Sequence, residues 1–171
     1  MPAWPAAIIV NAAEIAALRW PDDPSAHAYD AARIAADTRT RLIDLGRPPI
    51  AETVFSHRSQ LDLVRQASQA GYAVALHVLM VPEDLSVARV AYRAAAGSHD
   101  VPVDKIRQRH RRLSSIVAAA VPLADSATFW ENSRQEDPCI VGLFSEGLAV
   151  GYPDWPSWAP DVLVDRRPSR R

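Results

Sequence analysis

Glycine is scarce in this 171-residue chain, with six in all and none before Gly46. Lysine is scarcer: Lys105 is the only one, and every other basic residue that counts toward the charge is an arginine. A phosphate loop of the form G-x-x-x-x-G-K-[ST] needs glycines so that backbone N–H groups can wrap the phosphates, and a lysine to bridge them. Lys105 follows Asp104 in a helical pattern with no glycine beside it, so no stretch of these residues can form that loop. Cysteine is nearly absent too. Cys139 stands alone, which excludes an internal disulfide and fits a reducing compartment. No charge of one sign dominates, since the formal net charge is -1, and that argues against general nucleic-acid binding. Long hydrophobic runs are missing as well. The opening "MPAWPAAIIV" has no basic n-region and too short an apolar run for a signal peptide or a membrane span. The expectation is a soluble cytoplasmic protein with no membrane and no nucleic-acid partner.

What is present is an alternation of short apolar runs and amphipathic stretches. With 49% apolar residues, the chain is long enough for one domain with a core. Residues 6–10 read as a strand and 13–19 as a short helix stopped by Pro21. The stretch from Pro24 to Gly46 reads as a helix with Tyr29, Ile34, Ala35, Leu42 and Leu45 on its inner stripe. "PIAETV" is a second strand. "SHRSQLDLVRQASQAG" is a helix with Leu61, Val64 and Ala67 inward and Gly71 as its stop. "YAVALHVLMV" is continuously apolar, as for a parallel strand covered on both faces, and it makes His77 a buried histidine with a backbone partner. "PEDLSVARVAYRAAAG" and "VDKIRQRHRRLSSIVAAAV" are helices joined by the loop "SHDVP". "ATFWEN" is a last main strand, and "CIVGLF" with "LAVG" forms a terminal hairpin. The fold class expected is α/β, a mostly parallel sheet flanked by helices. Residues 1–150 are read as one domain and 151–171 as an irregular, largely solvated tail.

Six blocks in order carry a resemblance: "VNAAEIA", "IAETVFS", "AGYAVALHVLMV", "ARVAYRAAAGSHDVP", "IRQRHRRL" and "ADSATFWENS". Over about residues 7–133 the chain resembles the zeta toxin family of P-loop kinases. The resemblance implies a P-loop kinase-like fold and phosphoryl transfer from ATP and Mg2+ to UDP-N-acetylglucosamine or a similar small molecule. It also implies an antitoxin protein as partner. In that family the first strand, phosphate loop and first helix precede the block matched at residues 7–16. The expectation is therefore a member missing its first strand–loop–helix unit. In the resembled kinases the strand before the loop lies between the counterparts of "IAETV" and "YAVALHVLMV". Those two strands are then expected either to pair directly or to leave a gap. A gap would make the chain poorly soluble or marginally stable, because unpaired strand edges invite aggregation.

The same resemblance assigns residues. The family's general-base aspartate corresponds to Ala13, which accepts no proton, and loss of a positioned base costs about 10²–10⁴-fold in rate. Glu14 is one residue on, rotated by about 100° on the 3.6-residue helical period. Glu52 and Thr53 match the E-T pair that holds the acceptor, at a strand end where open α/β sheets bind ligands. Arg89, Arg93 and Arg109 match the lid arginines that face the transferred phosphate and are the catalytic candidates. Arg89 and Arg93, four apart, share a helix face. Arg109 falls near the buried stripe of Ile106, Leu113, Ile116, Val117 and Ala120, while Arg107 and Arg111 point away. An inward arginine requires an anionic or hydrogen-bonding partner. Asn132 matches the D-N-S block and is the nucleotide-cofactor candidate, beside Trp130 and Glu131 where the family has Tyr and Asp. No protein-ligated metal is expected. Ser98, His99 and Asp100 are adjacent and so do not converge as a hydrolase triad does. The favoured reading is a kinase-type fold that is inactive as this chain stands. The alternatives are a non-catalytic sugar-nucleotide- or protein-binding module, and an active kinase whose start was assigned too late.

Overall fold

A computed structural model describes residues 7–95, 101–134 and 136–165. Ser98, His99, Asp100 and the basic end of the tail lie outside these. The chain divides into two compact units, residues 1–54 with 69–72, and residues 55–68 with 73–171.

In the first unit the β-branched run Ile8-Ile9-Val10 extends as β1 (Ile8–Asn11), which pairs in parallel with β2 (Pro49–Glu52). Parallel neighbours require a crossover. It is supplied by α1 (Ala12–Arg19) and α2 (Ala28–Asp44). The inner stripe of α2 is Ala31, Ala35, Arg39, Leu42 and Ile43. This corrects the stripe expected through Tyr29 and Leu45, which are 81% and 72% exposed. The two small alanines are fully buried, and Arg39 lies inward with them. Val10, Ala35 and Leu42 form the core of this unit, with Ile8, Ala12 and Ile15 against it. Gly46, at φ +70, closes α2 by donating to the Ile43 carbonyl while Arg47 donates to that of Leu42.

The second unit holds α3 (Ser59–Gln69, except its last residue), α4 (Glu83–Ala95), α5 (Val103–Ala120) and α6 (Asp161–Val164). Its sheet contains β3 (Ala75–Met80), β4 (Ser126–Glu131), β5 (Cys139–Ser145) and β6 (Leu148–Ala149), in that spatial order. β3 and β4 are parallel, and the β4–β5 and β5–β6 pairs are antiparallel. The terminal hairpin is present, turned by Glu146 and Gly147, both at positive φ as a two-residue hairpin loop demands. One sheet face carries the core of Met80, Val117, Val121, Phe129, Phe144 and Leu163. Phe129 meets Phe144 and Trp155 edge-to-face, with ring centroids 5.4 and 5.1 Å away.

The α/β class stands, with corrections to the sheets, to β3 and His77, and to the C-terminal segment. The strands form two sheets instead of one, the first parallel and the second mixed. β2 belongs to the first sheet and β3 to the second. β3 is not covered on both faces: Leu79 is 59% exposed. His77 is exposed as well, and its Nδ1 accepts from Trp130 Nε1 at 3.3 Å instead of meeting a backbone group. Finally, the segment after residue 150 is not simply solvated. Trp155, Trp158 and Ala159 pack against the second core and Leu163 is part of it. Two tryptophans and a leucine bury enough apolar surface to hold a proline-rich segment down.

Candidate functional site

Two groups of candidate residues have defined surroundings, one in each unit. In the first unit β1 ends at Asn11 because that residue caps α1. Its side-chain Oδ1 accepts from the Ala13 N–H at 2.8 Å, with extended backbone dihedrals at the cap. The Asn11 Nδ2 donates to Glu52 Oε2 at 2.9 Å. Register explains the pairing: Asn11 and Glu52 sit opposite each other at the carboxyl ends of β1 and β2. Glu52 is therefore a held carboxylate, and Thr53 follows it on the surface. Ala13 and Glu14 are in the first turn of α1, both exposed. Beneath this edge Arg39 donates from Nη2 to the carbonyls of Val10, at 2.8 Å, and Glu52, at 3.1 Å. Burial lowers the pKa of its guanidinium from the ordinary value.

In the second unit a cavity of about 730 Å3 opens at the carboxyl ends of β3 and β4. Leu79, Val81, Arg89, Tyr92, Arg93 and Asn132 are among its lining residues. Three of the sequence candidates, Arg89, Arg93 and Asn132, are thus brought together. The spacing of Arg89 and Arg93 places them one turn apart on α4. Among the described residues neither has a hydrogen-bonding or ion-pair partner. Asn132 is fixed through its backbone N–H, which donates to the Met80 carbonyl at 2.9 Å. Arg109 is half-buried in α5 and is not among the lining residues.

The partner expected for Arg109 belongs instead to Arg107, which corrects the reading that Arg107 points away. Its Nη1 lies 2.6 Å from Glu83 Oε1 and its Nη2 lies 2.8 Å from Asp84 Oδ1. These two hydrogen bonds raise its pKa above the ordinary arginine value. His110 Nε2 is 3.0 Å from the Val81 carbonyl, so α5 is tied to the entry of α4 at two places. Beside Asn132, Glu131 is only 7% exposed and accepts at Oε1 from both the N–H and the hydroxyl of Ser133. The Ser133 hydroxyl is the largest influence holding its carboxyl below the usual range, and the nearby Arg134 guanidinium adds to it.

The single cleft expected to gather Glu52, Thr53, Arg89, Arg93 and Arg109 draws on both units: the first two residues belong to one and the three arginines to the other. Sequence reasoning missed Asn11, Arg39, Arg107 and Glu131. For Arg39 the signal lies in the 31, 35, 39, 42 spacing, which a helix places on one face. For Arg107 it lies in the acidic pair Glu83-Asp84 at the start of the neighbouring helix.

The arginine pair can meet an anion, but no glycine-rich cradle with a lysine exists in this sequence. Among the described residues no group of three or more His, Cys, Asp or Glu side chains is arranged to hold a metal ion. No described helix is long and apolar enough to cross a membrane. The family model described as "Zeta toxin" matches residues 8–133. No curated protein and no solved structure matches the chain.

Proposed function

The chain belongs to the zeta toxin family, and from that premise we propose that it binds a phosphorylated small molecule of the sugar-nucleotide class and does not itself transfer phosphate. The family places it on a kinase-like α/β fold in a toxin–antitoxin context. The observation that carries the reading is the pair of guanidiniums, Arg89 and Arg93, without a partner among the described residues, on one cavity with Asn132. Arginine presents a planar fork of donors that matches phosphate oxygens, and a site at the carboxyl ends of parallel strands is where open α/β sheets take ligands. The apolar Leu79, Val81 and Tyr92 suit the uncharged part of such a ligand. In the first unit, the match of their block assigns Glu52 and Thr53 to the acceptor, and there Glu52 Oε1 is an open acceptor beside the second amide hydrogen of Asn11. Arg109 remains a proposed phosphate-facing residue on the match of its block alone. Ala13 in place of a general base is the argument against transfer.

Titration calorimetry with UDP-N-acetylglucosamine tests this, beside a labelled-phosphate assay with ATP and Mg2+. Saturable binding is expected, weakened roughly 10-fold or more by Arg89→Ala or Arg93→Ala, because a hydrogen bond to a charged group contributes about 1.5–3 kcal/mol. No phosphate transfer is expected. Transfer by this chain, or binding indifferent to both arginines, overturns the proposal.

A second reading, a protein-binding module that engages an antitoxin, is favoured by a different observation. Leu79, Ile140 and Leu143 are all 40% or more exposed on one face of the β3–β5 sheet, beside the half-buried Trp130. Coexpression with the antitoxin followed by hydrogen exchange on these strands tests it. Protection confined to other surfaces would remove it.

A further inference from the structure

Arg39 lies on the inner face of α2, where the neighbouring positions are Ala31, Ala35, Leu42 and Ile43. Packing alone calls for an apolar side chain there. A guanidinium that is 4% exposed is costly to bury, and among the described residues no carboxylate neutralises it. Its Nε is sealed from solvent and without a partner. What it does grip, through Nη2, is a pair of carbonyls, those of Val10 and Glu52. These carbonyls stand at the carboxyl ends of β1 and β2, where the ladder stops. A two-stranded sheet is marginal by itself, and its ends are the first part to separate.

The residues next in the chain carry the proposed acceptor edge. Asn11 directly follows Val10, and Glu52 supplies both the gripped carbonyl and the held carboxylate. Their side chains meet at 2.9 Å only while the two strand ends keep their spacing. We propose that Arg39 is a positioning residue: one nitrogen clamps the ends of β1 and β2 together and thereby fixes the Asn11–Glu52 pair as a preformed hydrogen-bonding edge for the acceptor. The role of that edge rests on the reading under Proposed function; the clamp itself does not. Preorganisation of this kind explains why a desolvated cation is kept at a position that packing would give to leucine or methionine.

The test uses the full chain and two readouts. The first needs no ligand. In Arg39→Met, NMR is expected to show the Asn11 side-chain amide hydrogens and the Ala13 N–H exchanging at least 10-fold faster, with the amides in the middle of α2 changed less than threefold. If Arg39→Met does not fold, Arg39→Gln, too short to span both carbonyls, is expected to show the same loss. Wild-type exchange at Asn11 and Ala13 in whichever variant folds overturns the clamp, as does an equal loss throughout the first unit, which is what a merely structural arginine gives. The second readout is coupling. Glu52→Gln is expected to weaken UDP-N-acetylglucosamine binding at least fivefold in the wild-type background and less than twofold with Arg39→Met. Equal effects in both backgrounds overturn the positioning role. Absence of binding to the wild-type chain fails the sugar-nucleotide reading alone, and the exchange data then decide the clamp.

Discussion

The two units hold their parallel strands by different means. In the second, β3 and β4 lie on a core with Phe129 at 1% exposure, ringed by Phe144, Trp155 and Leu163. In the first, β1 and β2 have a core of one valine, one alanine and one leucine, and their ends are joined by polar ties from Arg39 and Asn11. Apolar burial is non-directional and scales with area, at roughly 25 cal/mol per Å2. Hydrogen bonds contribute only about 0.5–1.5 kcal/mol net but fix geometry. The second unit is thus built for stability. The first is built to hold particular atoms at the ends of its strands, and it carries the proposed acceptor edge.

The largest expected effect comes from removing the aromatic centre of the second unit. Phe129→Ala should cost about 3–5 kcal/mol, and Leu42→Ala in the first unit should fall at the lower end of the usual range of about 2–5 kcal/mol, because a small core relaxes around the loss more fully. Denaturant titration followed by hydrogen exchange at β4 and at β1 reads each separately. Equal costs would break the comparison.

Gly147 sharpens it next. At φ +79, a Cβ there would lie 2.9 Å from Pro122 Cα, so the β5–β6 turn closes directly onto the backbone after α5. Gly147→Ala meets both backbone strain and a contact that no side-chain rotation relieves. The expected loss is about 1–3 kcal/mol. The corresponding change at Gly46, where a Cβ meets nothing, carries the dihedral penalty alone and should cost less. Thermal melts of the two variants compare them.

Smaller again is the cap. Asn11→Ala removes the acceptor for the Ala13 N–H and should cost about 0.5–2 kcal/mol. Asn11→Asp keeps the cap but sets a carboxylate against Glu52 in place of the amide donor. It should retain helix stability while loosening the strand ends. Circular dichroism melts with exchange at β2 separate the two. Identical behaviour of both variants would show that the Asn11–Glu52 bond fixes nothing.

Local patterns make much of this fold legible. The β-branched run before Asn11, the continuous apolar run at residues 72–81 and the 3.6-residue periodicity of α3 place their elements within a few residues of the observed ends. The hairpin is readable because Glu146-Gly147 sits between two apolar runs. What is not readable depends on packing between elements. Tyr29 and Leu45 are apolar and suitably spaced, yet it is Ala31 and Ala35 that lie on the inner face. The tail misleads because prolines suggest solvation, whereas Trp155 and Leu163 find their partners only in the folded sheet. At the site, Glu52, Arg89, Arg93 and Asn132 are found through the match of their blocks to the resembled family. Arg39 is not, since a buried clamp looks like any other arginine in a chain whose basic residues are nearly all arginines.

The smallest expected effect concerns Glu131, the one buried carboxylate of the second unit among the described residues, where polar ties do enter the stable half. The Ser133 hydroxyl and N–H hold its carboxyl below the usual range. Because the folded pKa is lower than the unfolded one, its contribution is fully present above the unfolded glutamate value, about 4.3. It is lost as pH falls through the folded pKa. Stability of the wild-type chain should therefore drop more steeply than that of Glu131→Gln on acidification below that value, while the two should run parallel from pH 6 to 8. The wild type should be the more stable of the pair at neutral pH, and the gap should close in acid. Denaturant midpoints across pH 2–8 for both proteins measure this. A gap that stays constant into acid would mean that the Ser133 contacts are indifferent to the charge on Glu131, and the second unit would then owe its stability to apolar burial alone.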